Sequence, residues 1–180
     1  MDKSDIRKKI LKLRRKKNLR DYKLNLISIL DLLKKKKIRG KILGGYYPYY
    51  YEFDTIQILR EFEKKDYLIS LPKIKKNFQM NFFKWSTCDP LNINSYGIPE
   101  PMSNKVIHPD ILLVPMVAYD KYLNRLGYGG GFYDRYIKKL KKKKNIITIG
   151  LAYSFQKVKK IPVNEFDIKL DFIITEKTRK

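Results

Sequence analysis

Ile111-Leu112-Leu113-Val114-Pro115, followed after a short loop by Arg125-Leu126-Gly127-Tyr128-Gly129-Gly130-Gly131-Phe132-Tyr133-Asp134-Arg135, is the stretch that decides the fold. Its first part is a continuous β-branched and leucine run, the pattern of a central strand buried on both faces. Its second part places four glycines in five positions immediately before a helical pattern, Tyr133 to Lys141. Ile146 to Ile149 then supplies another apolar run. Strand, glycine turn, helix and strand in that order predict a parallel pair joined by a crossover.

The same alternation continues in both directions. Upstream, Phe78 to Trp85 reads as a strand, and so does Tyr67 to Leu71, stopped by Pro72 and preceded by a turn at Lys65-Asp66. Asp54-Thr55-Ile56-Gln57 resembles a capping box with Asp54 as N-cap, opening a helix that buries Ile56, Leu59 and Phe62. Lys41 to Tyr47 forms the first strand. Before it, Gly40 closes a helix carrying Tyr22, Leu26, Ile29, Leu30 and Leu33, and Ile6, Ile10 and Leu13 mark an earlier one. Asn92 to Asn104, with Gly97, Pro99 and Pro101, reads as loop, and Asp171 to Thr175 as the last strand. The expectation is an α/β protein: one three-layer α/β/α domain over residues 1–180 with a mostly parallel, Rossmann-like sheet.

Composition narrows the chemistry. One cysteine, Cys88, excludes an internal disulfide framework, and with one histidine, His108, no His/Cys zinc site can be assembled. His108 precedes Pro109 in a turn and reads as ordinary surface. The net charge of +23 invites a nucleic-acid reading, which would require steeply salt-dependent polynucleotide binding without ATP turnover. The lysine runs Lys34 to Lys37 and Lys141 to Lys144 look instead like helix ends, where cations are locally favourable. Residues 1–20 hold no apolar signal region, and Ile111 to Tyr119, interrupted by Pro115, is too short to span a bilayer. A cytoplasmic monomer with small-molecule substrates is expected, with neither a membrane nor a specific nucleic-acid partner.

The glycine turn carries the sharpest chemistry. Glycines let the backbone approach a ligand and adopt positive φ, and the free N–H groups of the helix that follows suit a phosphate. Neither a P-loop Gly-Lys-Ser/Thr nor a G-x-G-x-x-G spacing is present. A helix dipole contributes about 0.3–1 kcal/mol to an exposed anion, so a triphosphate needs fixed cations and a divalent ion as well. Arg125 is a candidate for the phosphate side and Asp134 for the cation side. Asp167 or Asp171 could complete a magnesium shell. Tyr46-Tyr47-Pro48-Tyr49-Tyr50-Tyr51-Glu52 sets tyrosines beside a carboxylate, a combination that could stack on and hydrogen-bond a flat heterocycle.

Several ordered motifs also carry a resemblance. Asn124 to Asp134 resembles the signature of the 5-formyltetrahydrofolate cyclo-ligases, also called 5,10-methenyltetrahydrofolate synthetases. Tyr96-Gly-Ile-Pro-Glu-Pro101, Glu52-Phe-Asp-Thr55, Gly150-Leu-Ala-Tyr153, Pro162-Val163-Asn164 and the pair Lys3 and Arg7 are similar to further family segments. The likeness spans nearly the whole chain and is weakest between Arg60 and Leu91. It implies ATP- and Mg²⁺-dependent conversion of 5-formyltetrahydrofolate to 5,10-methenyltetrahydrofolate, ADP and phosphate. The formyl oxygen would attack the γ-phosphoryl group, and a folate nitrogen would then close the ring and expel phosphate. Carried over by position, Lys3, Ser4, Asp5, Ile6, Arg7 and Arg125, Leu126, Gly127, Tyr128, Gly129, Gly130, Gly131, Phe132, Tyr133 would bind ATP. Tyr47, Glu52, Tyr96 and Tyr128 to Phe132 would line the folate, Asp134 and Asp167 would hold Mg²⁺, and Arg125, Tyr133 and Asp134 would be catalytic. Some relatives carry basic residues where this chain has Tyr128 and Gly130, and Phe132 replaces a common tyrosine.

Overall fold

The computed structural model describes residues 1–19, 22, 26–75 and 78–178. Helices α1 (Lys3–Lys16), α2 (Leu26–Lys35), α3 (Ile56–Glu63) and α4 (Phe132–Lys141) surround a six-stranded sheet. Its strands are β1 (Ile42–Gly44), β2 (Leu68–Lys75), β3 (Gln79–Lys84), β6 (Ile111–Val114), β9 (Ile147–Leu151) and β10 (Phe172–Ile174). Across the sheet the order is β10-β9-β6-β1-β2-β3, parallel throughout except for the antiparallel β2–β3 edge. Two small hairpins, β4 (Leu91–Ile93) with β5 (Pro99–Pro101) and β7 (Ala118–Tyr119) with β8 (Arg125–Leu126), lie outside it.

The apolar run of β6 divides between two cores because successive strand residues face opposite ways. Ile111 and Leu113 join Ile29 and Leu33 of α2 and Ile58, Leu59 and Phe62 of α3. Leu112 and Val114 join Tyr136, Ile137 and Leu140 of α4. The chain leaves β1 through α3 toward β2, and leaves β6 through α4 toward β9, in the opposite direction along the sheet. Right-handed crossovers running opposite ways put their helices on opposite faces, and they open a crevice at the carboxyl ends of β1 and β6. Helix α1 packs Ile6 and Ile10 on Val117, Ala118 and Leu126 of the β7–β8 hairpin, closing one side of that crevice.

Several local expectations are corrected. Pro72 does not stop β2, which runs on to Lys75. Ile69 O accepts from Trp85 N, so in an alternating ladder the Pro72 nitrogen faces away from β3, beyond the last β1 pairing at Ser70. The Asn92–Asn104 segment is not all loop: it contains the β4–β5 hairpin, turned at Asn94 to Gly97. Asp54 is not the N-cap of α3. Thr55 holds that position and makes no side-chain cap, while Asp54 Oδ1 accepts from Ile56 N at 2.9 Å. Gly40 does not close α2; Lys37 takes the left-handed φ of 53° there, with Ile38 N bonding back to Leu33 O. Gly40 instead lies where a Cβ would stand 2.2 Å from Asp110 Cβ. Tyr22 lies outside α2 and packs on Tyr153 and Phe155, and the chain between it and Leu26 is outside the described residues. Among the described residues, no helix is long and apolar enough to cross a membrane.

Candidate active site

A cavity of about 920 Å³ occupies the crevice, walled by α1, the turn after β1, the β4–β5 hairpin, the glycine turn and the loop holding Asn164 to Asp167. The glycine turn is its floor. Gly129 has φ 112° and Gly131, the N-cap of α4, has φ 65°, conformations an L side chain rarely adopts. Gly130 does not share that conformation; a Cβ there would meet the Phe132 ring at 2.6 Å. The turn thus presents the first turn of α4, a ten-residue helix, to the cavity.

Cations surround it. Arg7 donates through Nε to Gly127 O at 2.8 Å, and its guanidinium stands near Gly129. Arg125, 8% exposed, comes from β8 and pairs with Asp134 at 2.8 Å while lying over the Tyr133 ring. Lys3 pairs with Asp167 at 2.5 Å. Arg135 donates to Gly130 O and Phe78 O, between the Phe78 and Phe132 rings, and Lys138 also lines the wall.

Arg125 is aimed by the hairpin behind it. Asp120 carries φ-positive Leu123 through the turn by accepting from the N–H groups of Tyr122, Asn124 and Ile161 and from Asn124 Nδ2. These bonds hold the Asp120 carboxyl below its usual range even though burial pushes the other way.

Asp134 Oδ1 accepts from Ile168 N at 3.1 Å, so Asp134 and Asp167, the residue before Ile168, sit on one wall. Two carboxylates beside a phosphate cradle suit Mg²⁺, which binds through one or two carboxylates plus substrate phosphates. Among the described residues no three or more His, Cys, Asp or Glu cluster where they could hold a metal ion by themselves. Asp171 lies elsewhere, its Oδ2 accepting from Thr148 N and Oγ1.

The other end of the cavity is aromatic. Glu52 is 8% exposed and folds into its own turn, with Oε2 accepting from Tyr49 N and its backbone N donating to Tyr49 O. Tyr50 and Tyr51 both carry positive φ, 45° and 59°, to make that turn. Burial pushes the Glu52 carboxyl up to about 8, against the Tyr49 N–H and the charge of Arg14, which pull it down. Around it stand Tyr46, Tyr49, Tyr128 and Tyr133, and the Tyr133 hydroxyl is buried with no partner among the described residues. Tyr96, on the β4–β5 turn, also lines the cavity, with Ile98.

The model of the 5-formyltetrahydrofolate cyclo-ligase family matches residues 1–176. The chain belongs to that family. A 5-formyltetrahydrofolate cyclo-ligase of Haemophilus influenzae is 36% identical over 149 residues, 78% of each chain. That of Mycoplasma pneumoniae is 32% identical over 182 residues, 98% of this chain and 99% of the relative. Among solved structures, a 5,10-methenyltetrahydrofolate synthetase of Mycoplasma pneumoniae superposes with TM-score 0.76 at 27% identity, covering 98% of this chain and all of that one. One from Aquifex aeolicus gives 0.79 at 30% identity, covering 99% and 91%.

Not every residue carried over from the cyclo-ligase resemblance lies at the cavity. Lys3, Arg7, Glu52, Tyr96, Arg125 to Asp134 and Asp167 line it. Ser4, Asp5, Ile6 and Tyr47 do not. Asp5 closes a capping box with Asp2, Ile6 is in the core, and Ser4 is exposed. Tyr46 and Tyr49 stand in the wall on either side of Tyr47. The sequence marked Arg135 only as the second arginine flanking the glycine turn and gave no role to Lys138, Phe166 or the buried Arg14, the last signalled only by the i, i+4 spacing of Ile6, Ile10 and Arg14.

Proposed function

We propose that this chain catalyses the ATP- and Mg²⁺-dependent cyclisation of 5-formyltetrahydrofolate to 5,10-methenyltetrahydrofolate, releasing ADP and phosphate. The observation that carries it is a single cavity with two chemically opposite ends, a cationic glycine cradle and an aromatic pocket with one buried carboxyl. The triphosphate lies on the glycine turn, its oxygens taking the N–H groups of the α4 start and the guanidinium groups of Arg7 and Arg125. The reduced pterin lies against Tyr49, Tyr128 and Tyr133, and Glu52, largely protonated at neutral pH, both donates to and accepts from its polar edge.

On this reading the formyl oxygen attacks the γ-phosphoryl group in line with the departing ADP. Attack forms the O–P bond and releases ADP; the neighbouring folate N–H nitrogen then bonds to the activated carbon, the carbon–oxygen bond breaks, and phosphate leaves with the nitrogen's proton. Asp134 and Asp167 would hold Mg²⁺, which would neutralise charge on the phosphates. To receive it, Asp134 and Asp167 would exchange Arg125 and Lys3 for the metal, which would free both cations for phosphate oxygens. No acid or base near neutrality is needed for phosphoryl transfer, so positioning and charge carry the rate.

The test is formation of the methenyl product, followed by its absorbance, from 5-formyltetrahydrofolate with ATP and Mg²⁺. Product requiring all three supports the assignment. ATP turnover on a different substrate would move the chain to another reaction on the same fold.

A further inference from the structure

Helix α1 ends on a side chain that the reaction just described leaves unused. Arg14 is 1% exposed, and among the described residues its hydrogen-bond partners are all uncharged: Tyr128 Oη at 2.9 Å, Met116 O at 2.6 Å and Tyr50 O at 3.3 Å. Its Nε is buried and has no partner among the described residues. A buried guanidinium lacking a hydrogen-bonded carboxylate is a costly arrangement. Leucine would continue the stripe of Ile6 and Ile10 without that cost.

We propose that Arg14 is a positioning residue for the flat-substrate end of the cavity, acting through Tyr128. Arg14 is not part of the cavity wall, whereas Tyr128 is. The Tyr128 hydroxyl accepts from Arg14 and donates to Tyr49 O at 3.4 Å, so both of its hydrogen-bonding capacities are committed. The cavity therefore meets the ring, held against Tyr49 and Tyr50 at centroid distances of 6.0 and 6.5 Å. Through Tyr50 O the same guanidinium holds the left-handed turn that folds Glu52 inward, and through Met116 O it holds the loop after β6. One side chain thus ties the turn after β1, the loop after β6 and the glycine turn. All three ties are on the aromatic side. The phosphate side is organised separately by Arg7 and Lys3, about two and three turns earlier on the helix.

This inference rests on the proposed function, and wild-type turnover tests that function first. The decisive set is Arg14→Met, Arg14→Lys, Tyr128→Phe and the Arg14→Met/Tyr128→Phe double variant. For each, KM for 5-formyltetrahydrofolate, KM for ATP and melting temperature are measured. Arg14→Met should raise the folate KM about tenfold while the ATP KM stays within about twofold. Arg14→Lys should recover only part of the loss, since a point charge cannot reach three acceptors. Tyr128→Phe keeps the ring and removes the acceptor; it should raise the folate KM at near-native melting temperature, and the double variant should be no worse than Arg14→Met. If Arg14→Met fails to fold, Tyr128→Phe decides. An unchanged folate KM in Tyr128→Phe, equal shifts in both KM values, or multiplying effects in the double variant would overturn the role of Arg14 and leave the assigned reaction standing.

Discussion

The Arg125 guanidinium and the Asp134 carboxylate stand 2.8 Å apart across the glycine turn, one at its entry on β8 and the other in the first turn of α4. The pair closes the turn on itself, and each member is also what the proposed ligand demands, a cation for phosphate and a carboxylate for Mg²⁺. On the proposed reading, binding would require the two to change partners.

Replacing Asp134 by Asn removes that exchange. The amide still accepts from Ile168 N but leaves Arg125, whose side chain is 4% exposed, without its counter-charge. Activity should fall at saturating substrates, and half-maximal rate should need about tenfold more Mg²⁺ or beyond. Melting should come earlier, because a buried charge has lost its partner. A Mg²⁺ titration of the rate checks this, and an unchanged midpoint would remove Asp134 from the metal site.

At the other carboxylate, Lys3→Met should free Asp167 and take one cation from the triphosphate. The expected result is an ATP KM raised several-fold, with a folate KM close to wild type. Steady-state kinetics with each substrate varied in turn checks it. Equal movement of both constants would make Lys3 a helix anchor only.

Much of this was legible in the sequence, for identifiable reasons. Ile111 to Val114 reads as a central strand because both of its faces are covered, and the glycine turn reads as a ligand loop because clustered glycines have few structural uses. Pro72 misleads because its nitrogen falls on the side where β1 has already ended, which depends on the neighbour and not on Pro72. The β4–β5 hairpin hides because each strand is three residues long and β5 carries a proline at each end. Arg14 is invisible to hydropathy: an arginine at an apolar position is buried only if distant carbonyls and a tyrosine hydroxyl happen to meet it. Glu52 sits beside its tyrosines in sequence, but its elevated pKa comes from the depth of the turn.

That pKa has a stability consequence. Glu52 titrates at about 8 in the folded protein against 4.5 as its ordinary value, so between those values the folded state binds more protons than the unfolded state. Its contribution therefore favours folding at low pH and is lost as pH rises toward 8. Denaturation of wild type and Glu52→Gln at pH 5 and pH 8 should show the variant gaining relative stability at the higher pH, by an amount on the order of a few kcal/mol. A pH-independent difference between the two would mean that Glu52 ionises normally.

Gly131 tests the cradle. With φ at 65° and a Cβ position 2.7 Å from Arg135 Nη1, Gly131→Ala meets both backbone strain and a side chain in the way. The strain should cost about 1–2 kcal/mol of stability, and the displaced α4 start should lower ATP-dependent turnover on the order of 10²-fold. Rate and melting measurements together check it; full activity would show that phosphate does not rest on these N–H groups.

The account stands most directly on where the formyl oxygen goes. With ¹⁸O in the formyl group of 5-formyltetrahydrofolate, a single turnover with ATP and Mg²⁺ should place the label in the released inorganic phosphate, read by mass spectrometry. Label appearing in water, with unlabelled phosphate, would contradict attack by that oxygen on the γ-phosphoryl group.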